Sequence, residues 1–232
     1  MCLPRSHAVS CCPDNPLVNE DVAASAYVLE GEPSETLILF AHGAGANRDS
    51  DFMCQMAAGL VAKGFQVMRF NFPYMQANAE DGKKRPPDRA PKLLACFGEM
   101  LDVAHAQPKV KRVVLMGKSM GGRMAALLAC DSAQASRIDR VICLGYPFIP
   151  IKGGEPRLAP LNDCQVPVLV VQGERDKFGT QAQILSWPLN SDIQIGYLAD
   201  GDHSFVPRKS SGTTEAANLA LAVDLSAKIY WL

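Results

Sequence analysis

Little in this sequence points toward a membrane, a nucleic acid or a metal. No stretch is apolar for long enough to span a bilayer. The 23 Lys and Arg against 24 Asp and Glu leave a net charge of −1, which gives no reason to expect nucleic acid or an anionic membrane as partner. The eight cysteines are Cys2, Cys11, Cys12, Cys54, Cys96, Cys130, Cys143 and Cys164, and no Cys-x-x-Cys pair occurs among them. Cys54, Cys96, Cys130 and Cys143 fall in core-like stretches. They read as reduced, small apolar residues of a cytoplasmic protein, not as a disulfide framework or a zinc site. Met1 to Pro13 has no apolar h-region, so no signal peptide is expected there. Ala8-Val9-Ser10-Cys11 has the look of a lipoprotein cleavage box but lacks the hydrophobic stretch before it. No Gly/Ser-rich linker, composition break or internal repeat divides the 232 residues. The expectation is an irregular N-terminal segment over 1–20 and a single α/β domain over 21–232.

What the sequence does have is alternation. Apolar or β-branched runs at Thr36–Ala41, Phe65–Phe70, Arg112–Met116, Arg140–Leu144, Val166–Val171 and Ile193–Leu198 read as strands, with Val22–Leu29 as an antiparallel edge strand. Between them, Ser50–Lys63, Ala90–Ala106, Met120–Cys130, Gln181–Trp187 and Thr213–Tyr230 carry helical patterns. Continuous apolar strands alternating with helices predict a mostly parallel sheet covered on both faces. In such sheets ligands sit beyond the carboxyl ends of the strands.

One segment carries chemistry. Val113-Val114-Leu115-Met116 runs into Gly117-Lys118-Ser119-Met120-Gly121, and a helical stretch from Arg123 to Ala129 leaves it. Strand, sharp turn and helix around a Gly-x-Ser-x-Gly pattern make a nucleophile elbow, which exposes a serine hydroxyl at the end of a strand. Gly117 and Gly121 stand where a Cβ would clash, and Gly122 lets the helix pack close. Gly117-Lys118-Ser119 also looks like the end of a phosphate-binding P-loop. That motif needs a glycine five positions before the Gly-Lys pair, and position 112 is Arg112.

A serine nucleophile needs a base, an orienting acid and amides for the oxyanion. Only four histidines are available. His7 lies in the irregular start, His105 at the wrong sheet edge, and His42 in a glycine-rich turn. His203, in Asp200-Gly201-Asp202-His203-Ser204-Phe205 after the last strand, is the base by elimination. Asp139, Asp163 and Asp192 precede strands and so fall at the far edge. Gln172-Gly173-Glu174-Arg175-Asp176 offers two carboxylates at the right edge, of which Asp176 is preferred and Glu174 is the fallback. Asp200 and Asp202 share the loop of His203 and fit better as shapers of its turn. The order Ser119, Asp176, His203 is that of α/β-hydrolases. The Met120 amide, with one from His42-Gly43-Ala44-Gly45, would form the oxyanion hole; Ala44 is the preferred donor of the second and Gly43 the alternative.

These motifs stand in order along the chain with Arg69-Phe70-Asn71-Phe72-Pro73-Tyr74-Met75 and Arg85-Pro86-Pro87 between them. Together they resemble the small, lidless α/β-hydrolase-like family that includes testis-expressed proteins and a subunit of the NSL histone acetyltransferase complex. The likeness covers roughly residues 36–230. Bacterial members are also similar to dienelactone hydrolases, which use cysteine where this chain has Ser119. The resemblance implies an α/β-hydrolase fold and a Ser-Asp-His triad of Ser119, Asp176 and His203, with no agreed substrate.

Two features lie outside that constellation. Asp81–Lys92 carries five cations against two carboxylates; it reads first as a solvated loop, second as a lure for an acidic substrate group. Phe72, Tyr74 and Met75 either line an acyl pocket or pack their loop. Only about twenty residues separate Leu144 from Val166, too few for a helical lid domain. The whole predicts an open-pocketed serine hydrolase of small soluble esters or thioesters, needing no cofactor or metal. A binding module that kept the fold without catalysis is the alternative, and the oligomeric state is not legible.

Overall fold

A computed structural model of the chain describes residues 26–228. The irregular segment expected over 1–20, His7, residues 22–25 of the edge strand expected over Val22–Leu29 and residues 229–230 of the helix expected over Thr213–Tyr230 lie outside the described residues. Among the described residues, seven strands form one sheet: β1 (Tyr27–Glu30), β2 (Thr36–Ala41), β3 (Gln66–Phe70), β4 (Arg112–Lys118), β5 (Arg140–Leu144), β6 (Val168–Gly173) and β7 (Gln194–Leu198). Their spatial order is β1-β3-β2-β4-β5-β6-β7. Only β1 runs antiparallel, paired along β3. The others are parallel, as the continuous apolar runs predict.

Those runs are apolar throughout because both sheet faces are covered. Leu37 and Leu39, Val113 and Leu115, and Val141 and Cys143 enter one core. Their neighbours Ile38 and Phe40, Val114 and Met116, and Ile142 and Leu144 enter the other. The first core is closed by α3 (Ala90–His105) and α4 (Met120–Leu128) through Leu93, Phe97, Leu101 and Met124. The second is closed by α1 (Asp51–Ala62) and α8 (Glu215–Ala227) through Met53, Met56, Leu60, Leu219 and Val223. The fold is an α/β-hydrolase fold with helices on both faces.

Among the described residues, three helices fall outside the expected helical patterns, α2 (Pro73–Asp81), α5 (Ser132–Ala135) and α6 (Ala159–Asn162), while α7 (Gln181–Ser186) falls within one. The helix α2 starts with Pro73 at its first position and stops at Gly82, whose φ of 70° is left-handed. Phe72 and Tyr74 are buried and Met75 packs on the same core, so these residues pack the segment and do not form an acyl pocket. Between β5 and β6 the chain forms only the single turn of α6, with no helical lid.

Candidate active site

The central strand β4 ends in a strained turn. Ser119 has φ 51° and ψ −111°, a conformation that costs a non-glycine residue about 1–3 kcal/mol. Its N–H donates to the Leu144 carbonyl at 2.9 Å, tying the turn to β5, and α4 begins at the next residue. A Cβ on Gly117 would lie 2.1 Å from the Gly121 carbonyl carbon. One on Gly121 would lie 2.6 Å from the Ala41 and His42 carbonyl oxygens, so the close approach requires glycine at both positions.

The structure brings Ser119, His203 and Asp176 into one hydrogen-bonded chain. The Ser119 hydroxyl donates to His203 Nε2 at 3.0 Å, and His203 Nδ1–H donates to Asp176 Oδ2 at 2.7 Å. A carboxylate facing Nδ1 selects the tautomer that leaves Nε2 free to accept. Asp176 is fully buried, while the His203 side chain keeps 22% of its surface exposed. Burial, above all, holds the His203 pKa below its ordinary value of 6.5, and the Lys118 charge pulls the same way against the Asp176 hydrogen bond. Glu174 is elsewhere: its Oε2 accepts the Asp200 N–H at 2.8 Å. Asp202 accepts the Ser204 and Val206 amides, and Asp200 pairs with Arg175 and Arg208, so both shape the loop. His105 meets the Arg137 carbonyl near the opposite end of the sheet.

The turn after β2 is held from below by a histidine. His42 is fully buried, its Nδ1–H donating to the Gly43 carbonyl at 2.7 Å and its Nε2 accepting the Phe72 N–H at 3.0 Å. With both nitrogens used this way the ring is neutral, and burial depresses its pKa to about 4. The Tyr74 hydroxyl reaches the Gly43 and Ala44 carbonyls at 3.4 and 3.0 Å. In a trans peptide the next N–H points opposite the carbonyl, so tying back the Gly43 oxygen turns the Ala44 N–H the other way. At the helix side, Met120 opens α4, where the first amides have no intrahelical acceptor.

Two residues of the site were missed in the sequence. Lys118 is buried beside the serine; its ammonium donates to the His203 carbonyl and sits 5.2 and 5.4 Å from the Phe52 and Phe205 ring centroids. Burial lowers its pKa to about 8, opposed by the Asp176 and Asp202 charges. Gln172, also buried, donates to Asp176 Oδ2 at 2.9 Å and to the Gly179 carbonyl at 3.2 Å, and accepts the Tyr146 N–H at 2.8 Å. A lysine in the elbow and an amide ending a strand carry no signal of burial in the sequence itself.

Ser119 lies at the junction of two open clefts. One, of about 330 Å³, is walled by Met120, Arg123, Pro147, Ile149 and Arg157. The other, of about 360 Å³, is walled by Gly43, Phe52, Met53, Lys118 and His203. Ala44, Ile151 and Phe178 border both. No residue of the basic segment Asp81–Lys92 lines either one, and within it Arg85 pairs with Asp81 and Lys92 with Asp88. That segment is the solvated loop, not a lure at the site. Among the described residues, no three His, Cys, Asp or Glu side chains gather where they would hold a metal ion. Nor is any described helix long and apolar enough to cross a membrane.

The same architecture recurs in solved structures. A lidless α/β serine hydrolase from Xanthomonas campestris superposes with a TM-score of 0.66 at 18% identity, covering 89% of this chain and 88% of its own. A dienelactone hydrolase from Anabaena variabilis gives 0.65 at 17% identity, covering 88% and 89%. Est1E from Butyrivibrio proteoclasticus, solved with ferulic acid bound, gives 0.65 at 14%, covering 87% and 94%. At such identities the likeness is one of fold. No curated protein matches the sequence significantly. The family model described as an alpha/beta hydrolase domain matches residues 34–230, and the chain belongs to that α/β-hydrolase family.

Proposed function

We propose that this chain is a serine hydrolase that cleaves carboxylic ester or thioester bonds of small soluble substrates through an acyl-enzyme. Ser119 attacks the carbonyl carbon while His203 takes its proton. The tetrahedral intermediate is held by the Met120 and Ala44 amides, and His203 returns the proton to the departing alcohol or thiol. Water then enters, His203 removes its proton, and the carboxylic acid leaves as Ser119 is restored. Asp176 keeps the imidazole in the productive tautomer and stabilises its charged form.

The observation that carries this reading is the hydrogen-bonded chain from the Ser119 hydroxyl through His203 to Asp176 at a strained strand-to-helix turn. Every group the mechanism uses belongs to the protein, so it calls for no cofactor and no metal. Within the family, the ordered motifs favour the branch of testis-expressed and NSL-complex hydrolase-like proteins. Residues 21–232 act as a single domain in this reading. The free thiols of Cys54, Cys96, Cys130, Cys143 and Cys164 fit a reducing, cytoplasmic setting.

A panel of short-chain aryl esters and matched thioesters tests the proposal. Turnover lost on Ser119→Ala supports it. A wild-type protein that hydrolyses none of them and resists fluorophosphonates is a non-catalytic binding module instead.

A further inference from the structure

The first cleft holds charge that the hydrolysis just described does not use. Arg123, one turn into α4 from Ser119, and Arg157, from the β5–β6 connection, line its wall together. Among the described residues, neither side chain forms an ion pair with a carboxylate. Arg157 is nonetheless pinned. Its N–H donates to the Phe148 carbonyl at 2.9 Å, its guanidinium reaches the Pro147 carbonyl at 3.4 Å, and its own carbonyl accepts the Tyr146 hydroxyl at 3.1 Å. The two guanidiniums feel one another: burial first, then the Arg157 charge, disfavours the charged form of Arg123. Arginine does not escape such repulsion by losing its proton. Two like charges held in one half-buried wall without an acid between them form a site for an anion. Lys152 at the same wall adds to the positive field.

Which part of a substrate enters this cleft follows from His203. Proton return places the leaving group beside His203, and His203 lines the second cleft, not the first. The acyl portion therefore lies toward Arg123 and Arg157. We infer that the substrate's acyl portion carries an anionic group, a carboxylate or phosphoryl, clasped by Arg123 and Arg157 in this cleft. The apolar span between that group and the reacting carbonyl packs against Pro147 and Ile149. This inference rests on the serine-hydrolase reading and narrows it to half-esters or half-thioesters of short diacids and their phosphoryl counterparts.

The test compares kcat/KM for aryl esters of ω-carboxy acyl chains from succinate to adipate, each corrected for spontaneous hydrolysis. Each is paired with its ω-methyl ester as a neutral control, and ω-phosphonate chains form a third arm. The wild type should favour the best anionic substrate over its neutral control on the order of 10- to 100-fold, the range for charge-assisted hydrogen bonds. The carboxylate and phosphonate arms then say which anion is the better fit. In Arg123→Met and Arg157→Met that ratio should fall toward one. Taken within each variant, the ratio cancels any general loss of activity. Arg157→Glu should turn the preference toward an ω-amino acyl chain. A wild type that labels with fluorophosphonate and hydrolyses the neutral esters but favours neither anion overturns this inference alone. So does a ratio unchanged in all three variants. A wild type that neither labels nor hydrolyses any ester overturns the serine-hydrolase reading, and this inference with it.

Discussion

Gln172 Nε2 donates to Asp176 Oδ2 at 2.9 Å, the same oxygen that accepts His203 Nδ1–H at 2.7 Å. The other oxygen, Oδ1, accepts the Phe178 N–H at 2.8 Å, so the buried carboxylate is held on both sides. Gln172 thus positions Asp176 without touching substrate. Gln172→Met should lower kcat on the order of tenfold to a hundredfold while KM changes little, because orientation is lost and binding is not. Steady-state kinetics on one short ester check this; a change confined to KM contradicts it.

Exchange of the two nearby carboxylates for amides should separate their roles. Asp176→Asn should lower turnover on the order of 10⁴-fold, the effect known for a triad acid whose loss favours the wrong histidine tautomer. Glu174→Gln should leave turnover within a few-fold and cost about 1 kcal/mol of stability through its bond to the Asp200 amide. Activity and denaturant unfolding of the two variants measure both. A larger kinetic loss at Glu174 would reverse the assignment.

The acid limb of activity should answer to Lys118. His203 must be neutral to accept the serine proton, so kcat/KM should rise through its pKa, which lies below 6.5. The Lys118 charge is one of the causes holding it there. Lys118→Met should therefore move the acid limb to higher pH. An unmoved or lowered limb would show that the ammonium does not act on His203.

His42 makes a prediction about stability. Its native pKa is about 4 against an ordinary 6.5, so the unfolded chain takes up a proton in that interval that the folded chain refuses. This contribution is complete above pH 6.5 and is lost as pH falls toward 4, by up to about 3 kcal/mol. Urea unfolding at pH 7 and pH 5 should show the loss in the wild type and a smaller one in His42→Asn. Equal pH dependence in both would remove His42 as its source.

The alternation of strand and helix was legible because both sheet faces are buried: β2 and β5 start and end where their apolar runs do. β3, β4, β6 and β7 shift by one or two residues, with polar Lys118 and Gln172 extending β4 and β6 past the apolar signal, whereas β1 begins only at Tyr27. The helix α2 was missed because Asn71-Phe72-Pro73-Tyr74 has loop composition, although proline is a favoured first helical residue. Ser119, His203 and Asp176 could be picked out since each follows a strand at one edge. Lys118 could not, because its importance comes from burial and from a partner more than eighty residues away, and Gln172 could not, because nothing in its sequence neighbourhood shows that its amide is buried and turned onto Asp176 four residues on.

The central claim is that the Ser119 hydroxyl is a nucleophile activated by His203. Mass spectrometry of the protein after treatment with a fluorophosphonate measures this directly. The account predicts one stoichiometric adduct on the peptide containing Ser119 in the wild type, and none at that site in Ser119→Ala or, at matched times, in His203→Ala. A wild-type protein that stays unmodified, or an Ser119→Ala variant labelled as fully as the wild type, would contradict it.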